Sequence, residues 1–157
     1  QIVLKRADTV KLSSERSPFG IGRNFRPNIC MGYLKNDYTF DLSFSASCSF
    51  QKPLERELLF LPGHCQDFVL KDINFSSCNV PQYPKNTNVL LQGATECASY
   101  LEENFTYHAC FQQYKNELDF TKNEWHLYMN TDFINPRYDL LKLYDKDGFL
   151  VNTREIK

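Results

Sequence analysis

The sequence predicts an all-β fold: an antiparallel sandwich or partly closed barrel of about eight to nine strands, disulfide-stabilised and with at most one short helix. Aromatic residues make up 15% of the chain, and together with many Ser and Thr they favour strands over helices. Residues 38–50 alternate apolar and polar side chains, which is the pattern of a strand with one buried face. Short apolar segments then recur between turn signals, without crossover helices.

The other elements follow from the same alternation and from the turns between them. Further strands are predicted over Glu57–Leu61, Asp67–Ile73, Asn88–Leu91 and residues 105–111. Glu57–Leu61 ends at Pro62-Gly63, a strong turn signal. Only Cys97–Glu103 carries a composition that predicts a helical turn or two.

Two hairpins are predicted in the last third of the chain. Glu117–Phe120 and Glu124–Met129 flank a short polar turn. Tyr138–Tyr144 and Phe149–Ile156 flank Asp145-Lys146-Asp147-Gly148, which predicts a type I turn closed by a left-handed glycine.

Charge divides the chain into a basic head, residues 1–28, and a single β domain, residues 29–157. The head holds six basic and two acidic residues, whereas the remainder holds twelve basic and seventeen acidic ones. Two prolines and two glycines exclude one continuous helix or central strand there. We favour an arm laid along the acidic body and anchored by Phe19, Ile21 and Phe25; a processed segment or a flexible contact segment is the alternative.

Six cysteines and two glycosylation sequons predict a secreted, extracellular glycoprotein, because an even cysteine count forms disulfides in an oxidising compartment. The sequons begin at Asn74 and Asn104. Cysteine pairing stays open, although the apolar position of Cys48 predicts a buried bridge to a later segment. The cysteines are Cys30, Cys48, Cys65, Cys78, Cys97 and Cys110.

Lys5 and Arg6 form a dibasic pair of the kind that furin-like or kexin-like proteases cut. We favour two exposed charges as its explanation; the alternative is a pro-segment that ends near Arg6. Gln1–Val10 lacks the apolar region of a signal peptide, so we expect a mature or trimmed chain.

One pair of residues has a composition suited to acid–base chemistry. On a strand, Glu124 and His126 share a face, as in the active site of a small secreted ribonuclease-like hydrolase. We favour the simpler interpretation, in which they form the solvent face opposite Trp125 and Leu127. The three histidines lack metal-ligand spacing, so neither a metal nor a cofactor is expected.

Bulk charge and hydropathy restrict the partners. The net charge of −1 gives no basis for nucleic-acid binding, and no apolar run approaches the roughly 20 residues that span a bilayer. No motif in the sequence indicates catalytic residues, and we expect a monomer.

The small size, six cysteines, Lys5-Arg6 pair and all-β prediction together resemble the secreted effectors of plant-pathogenic fungi. The chain is most similar to the necrotrophic, host-selective protein toxins of cereal pathogens. This resemblance covers general architecture, and it implies a non-enzymatic β-fold in the apoplast that binds host extracellular or surface proteins and triggers cell death. Alternatives are a secreted β-barrel that binds a ligand in an apolar cavity, and the hydrolase built on Glu124 and His126.

Overall fold

The structure, a computed structural model, describes residues 2, 4–45, 51–83, 93–132, 135, 137 and 139–156. The elements in chain order are β1 (Thr9–Ser13), α1 (Met31–Leu34), a 3-10 helix (Glu55–Glu57), α2 (Gly63–Asp67), a π-helical turn (Phe68–Asp72), α3 (Ala94–Asn104), α4 (Tyr107–Tyr114), β2 (Glu124–Tyr128), β3 (Asp139–Tyr144) and β4 (Leu150–Ile156). Within this part of the chain the strands form two separate two-stranded sheets, β1–β2 and β3–β4.

The all-β prediction is therefore wrong. The described residues form four strands and four α-helices, a mixed α/β fold in which they close no barrel. The error is clearest at residues 105–111, where the alternation of a strand coincides with a helical repeat. Tyr107, Phe111 and Tyr114 recur every three to four residues and pack together against the core. Thr106 settles the choice, because its hydroxyl accepts a hydrogen bond from the Ala109 N–H and so caps α4.

The strands predicted over Glu57–Leu61 and Asp67–Ile73 are also helical or turn-like. Leu58 and Leu61 are buried three residues apart, whereas the two residues between them face solvent. That spacing matches the turn after the 3-10 helix, in which the Leu61 N–H donates to the Leu58 carbonyl. From Cys65 to Ile73, burial recurs at the intervals of a helix rather than at every second residue.

The long strand predicted over residues 38–50 does not form in its described part. Residues 38–45 are irregular and bend at 41–42. The rings of Phe40 and Phe44 lie 5.0 Å apart, whereas an extended strand would separate the two residues by roughly 13 Å. Residues 46–50, which include Cys48, lie outside the described residues, as does the strand predicted over Asn88–Leu91.

Of the two predicted hairpins, the first is wrong and the second is confirmed. Strand β2 pairs in parallel with β1, from Thr9 opposite Glu124 to Ser13 opposite Tyr128, and residues 117–120 form turns. Strands β3 and β4 pair antiparallel, with an irregularity next to Tyr144. Their turn closes with Gly148 at a φ of +87°. The predicted helical segment is also confirmed, because it lies inside α3.

A helical core fills the middle of the chain between β1 and β2. It gathers buried residues from α1, α2, α3, α4 and the turns between them. Its buried members are Cys30, Tyr33, Leu58, Leu61, Cys65, Phe68, Val69, Ile73, Cys78, Cys97, Leu101, Phe105, Cys110 and Phe120.

Disulfides cross this helical core. Cys30–Cys110 links the start of α1 to α4, and Cys65–Cys97 links α2 to α3. Cys78 is also disulfide-bonded, and all five described cysteines are at most 1% exposed. The predicted disulfides are therefore present, and the two bridges between described cysteines fasten helix to helix.

A second, aromatic core lies on one face of the β1–β2 sheet. Phe25 is central, with its ring 5.0 Å from Phe19, 5.1 Å from His126 and 5.8 Å from Tyr128. Residues 38–45 add the other rings, so this core holds that irregular segment onto the sheet. Its members are Phe19, Phe25, Phe40, Phe44, His126 and Tyr128.

Removing the Cys30–Cys110 bridge by a double alanine substitution should lower the free energy of unfolding by about 2–5 kcal/mol. The bridge closes a loop of 80 residues, whereas Cys65–Cys97 closes one of 32, so its removal should cost more than removal of the shorter bridge. Urea unfolding of both double variants and the native protein measures this. An unchanged midpoint for either variant would contradict the assigned role.

Candidate functional site

The two faces of the β1–β2 sheet have different chemistry because side chains alternate along each strand. Lys11 and Ser13 of β1 share one face with Glu124, His126 and Tyr128 of β2. That face packs against the aromatic core. The other face carries the apolar residues of both strands and borders an open groove.

Glu124 lies at the centre of a polar chain on the first face. Its Oε1 is 2.6 Å from His126 Nε2, and its Oε2 is 3.0 Å from Lys11 Nζ. The same Lys11 Nζ donates to the Ser43 carbonyl, which belongs to the segment that carries buried Phe44. Glu124 and Lys11 together therefore join β1, β2 and the 38–45 segment.

The contacts with Lys11 and His126 favour the ionised form of Glu124. Burial by itself raises the pKa of the Glu124 carboxyl, but hydrogen bonds from His126 and Lys11, together with their charges, outweigh it and hold the pKa below its ordinary value. Nearby, burial raises the pKa of Tyr128, and the charge of Asp41 adds to that rise. Asp41 also accepts a hydrogen bond from Ser13 Oγ.

The predicted Glu124–His126 pair therefore exists, but its surroundings are those of a structural contact. The His126 side chain is 0% exposed, packed between Phe25 and Phe44. No substrate atom can reach the imidazole in this state. The interpretation as a solvent face is also wrong, because this face is the buried one and the Trp125–Leu127 face is the partly open one.

The open groove separates the β1–β2 sheet from the β3–β4 hairpin. It has a volume of about 390 Å³. Val10, Leu12 and Leu127 form its floor on the sheet, and Leu141 and Leu143 face them from the hairpin. Two apolar side chains from the start of the polypeptide, Ile2 and Leu4, complete the wall of the groove.

The β3–β4 hairpin itself is unusually apolar for a surface element. Six of its large apolar side chains are 47–71% exposed. They are Leu140, Leu143, Tyr144, Phe149, Leu150 and Val151. Because they come from both faces and from the turn, the hairpin and the groove beneath it form a continuous candidate interaction surface, which we call the hairpin surface.

Sequence reasoning located the hairpin but not this surface. The signal was present in the adjacent apolar residues Phe149-Leu150-Val151, because an alternating strand cannot bury three consecutive side chains on one face. The groove had no comparable local signal, since its lining brings residues 2–12 together with residues 127–154.

The two sequons occupy different environments. Asn74 is exposed, and its Oδ1 accepts hydrogen bonds from the N–H groups of Ser76 and Ser77. Asn104 donates from Nδ2 to the Tyr100 carbonyl, and Thr106 is the cap of α4. The fold therefore uses the second sequon to join α3 to α4 and leaves the first one at the surface.

The remaining predicted residues lie apart from the groove or at its edge. Lys5 and Arg6 are exposed in a turn before β1. His64 stacks on Tyr83, and His108 lines an open hollow between α3 and α4. In the ranges that the structure describes, no three His, Cys, Asp or Glu side chains lie close enough to hold a metal ion. No helix in those ranges is long and apolar enough to cross a membrane.

Comparison with known proteins adds no family. No protein-family model matches the chain, and no curated protein or solved structure is significantly similar to it. The candidate interaction surface is therefore argued from the geometry of the chain itself.

Thr106→Ala should lower the free energy of unfolding by about 1 kcal/mol, because it removes the side-chain cap of α4. Thr106→Ser is the matched control, since serine keeps the hydroxyl that accepts from the Ala109 N–H and donates to the Glu102 carbonyl. Urea unfolding of the three proteins tests this. Equal losses in both variants would exclude the cap as the cause.

Glu124→Gln should destabilise the protein in a pH-dependent way. Because the folded pKa of Glu124 is lowered, the carboxylate stabilises the fold above the ordinary carboxyl pKa, and this contribution is lost as the pH falls through the lowered value. The difference in unfolding free energy from the native protein should therefore be larger at about pH 7 than at about pH 3.

Urea unfolding followed by the fluorescence of Trp125, the single tryptophan, reports on β2 directly. Glu117→Gln, on an exposed turn, is the matched control. A Glu124→Gln difference that stays constant between the two pH values would show that the carboxylate charge is not what stabilises this contact.

Proposed function

We propose that this chain is a secreted, non-enzymatic effector that binds a host extracellular or surface protein through the hairpin surface. The observation that carries the proposal is the concentration of six exposed apolar side chains within β3, β4 and their turn. Soluble monomers rarely expose a contiguous apolar patch of this kind unless something binds to it. Burying such side chains against a partner removes apolar area from water, which favours association.

The hydrolase alternative has less support. Acid–base catalysis requires a side chain that can contact the substrate, and His126 is fully enclosed by the aromatic core. The polar chain from Lys11 through Glu124 to His126 is accounted for by its role in joining three segments. Protein binding requires no accessible acid or base, so it is a simpler explanation of the exposed hairpin surface than catalysis.

Secretion is supported by the disulfides, which form and persist mainly in oxidising compartments. The cell-death activity has a separate basis, because it comes from the resemblance to host-selective toxins of cereal pathogens. The two parts of the proposal are therefore tested by separate experiments.

A small apolar ligand is a second candidate, favoured by one observation. The groove, at about 390 Å³, falls within the size range of small-molecule sites and is lined mainly by aliphatic side chains. Mass spectrometry of solvent extracts from the purified protein would reveal a retained ligand. A partner protein remains our preferred proposal, because the exposed residues extend beyond the groove onto the hairpin turn.

The double variant Phe149→Ser/Val151→Ser should weaken partner binding about ten-fold or more while preserving the fold. Both side chains are mostly exposed, so their truncation removes contact area without opening the core. Leu118→Ser, a fully exposed apolar residue outside the hairpin, is the matched control. The measurement is a quantitative pull-down from plant extracellular fluid with the native protein and both variants.

Equal capture by all three proteins would overturn the hairpin surface as the binding site. Infiltration of the pure native protein into a panel of plant genotypes tests the cell-death activity. A response confined to some genotypes supports the toxin assignment, and its absence in every genotype removes that assignment while leaving protein binding to be judged by the pull-down.

A further inference from the structure

The dibasic pair occupies an exposed turn immediately before β1. Residues 4–7 are all exposed. The turn is closed by hydrogen bonds from the Asp8 N–H to the Lys5 carbonyl and from the Lys5 N–H to Asp8 Oδ2. Ala7 adopts a φ of +71°, a left-handed conformation that is strained for an alanine. The chain contains no other pair of adjacent basic residues.

The side chains that precede this turn border the hairpin surface. Ile2 and Leu4 line the groove together with Leu12 of β1, Leu127 of β2 and Leu143 of β3. They are 38% and 41% exposed, so each side chain lies partly in solvent and partly in the groove wall. The segment before the turn therefore covers part of the groove.

The chain that follows the turn is held firmly in place. The Asp8 side chain is 1% exposed, and its Oδ1 lies 3.2 Å from Nη2 of Arg26. Arg26 in turn donates to the Lys122 carbonyl and lies over the Trp125 ring, so Asp8 is fixed to the segment that leads into β2. From Thr9 onward, β1 is paired with β2. The Arg6–Ala7 bond thus lies in an exposed turn directly before a strongly held segment.

We propose that the Arg6–Ala7 bond is a site of proteolytic processing, and that cutting it removes Ile2 and Leu4 and opens the groove. The inference rests on the proposed function, because it describes how access to the hairpin surface is regulated. An endoprotease specific for paired basic residues hydrolyses the amide: the C–N bond breaks, water adds, Arg6 acquires a carboxylate and Ala7 an ammonium group.

The local geometry suits such a cut. Proteases bind their substrates in an extended form, as an added strand. Opening the turn requires loss of its two hydrogen bonds, and it releases Ala7 from the left-handed conformation. The anchors at Asp8 and β1 lie on the far side of the bond, so the turn can open without separating the sheet.

The test uses the full 157-residue chain in its oxidised form, incubated with a kexin-class protease. Mass spectrometry should show one cut, after Arg6, and Arg6→Ala should abolish it. The fluorescence of 1-anilinonaphthalene-8-sulfonate, which reports accessible apolar surface, should rise about two-fold or more on cutting. Circular dichroism and Trp125 fluorescence should stay unchanged, which shows that the dye has not bound to unfolded protein.

Leu4→Ser in the uncut chain tests the opening of the groove independently, since it removes one of its apolar side chains without a protease. Its dye fluorescence should rise above that of the uncut native protein. If native protein resists the protease while a peptide of residues 1–12 is cut, the processing site is overturned. If the cut occurs and neither it nor Leu4→Ser changes dye fluorescence, the covering role is overturned.

The outcome for the proposed function can be read separately. Partner capture by cut and uncut protein is compared with capture by the Phe149→Ser/Val151→Ser variant. Greater capture after cutting supports the regulation. Capture that is insensitive to the hairpin variant overturns the binding site, and it does so whether or not the Arg6–Ala7 bond is cut.

Discussion

Parallel pairing between β1 and β2 is the contact on which the rest of the arrangement depends. The paired strands lie at opposite ends of residues 14–123, so their contact closes the chain around the whole helical core. Because side chains alternate along both strands, the same pairing creates two surfaces at once. One face supports the aromatic core around His126, and the other forms the floor of the groove under the hairpin. Loss of register by one residue would exchange these faces.

The two cores are stabilised by different means, which follows from what each must hold. The helical core joins short helices that have few residues to bury, and Cys30–Cys110 and Cys65–Cys97 supply the connection that packing between them does not. The aromatic core joins irregular segments to a two-stranded sheet. There the connection is made by edge-to-face ring contacts and by the hydrogen bonds of Glu124. Reduction of the disulfides should therefore lower mainly the stability of the helical core, whereas a change of pH should alter mainly that of the aromatic core.

The parts of the fold that sequence predicts correctly are the local ones. The β3–β4 hairpin is specified by its own turn, with Gly148 in the left-handed conformation, and α3 by its composition. Residues 105–111 satisfy both the strand and the helix repeat, and the capping hydrogen bond of Thr106 decides between them. The burial of His126 and the parallel partner of β2 depend on residues about a hundred positions away, such as Phe25, so no local pattern could reveal them.

The same contrast between local and distant contacts explains why we propose a binding surface as the candidate site. A two-stranded hairpin is marginally stable on its own in water, and β3–β4 keeps apolar side chains exposed on both faces. Leu141 and Leu143 line the groove, whereas Phe149, next to the turn, and Val151 of β4 lie outside it and are mostly exposed. In the part of the chain that the structure describes, no residue buries the side chains of Phe149-Leu150-Val151. Formation of the hairpin does not require three consecutive apolar residues at this position. We propose that a partner buries them, and that the segment before Arg6 regulates how much of the adjoining groove is open to that partner.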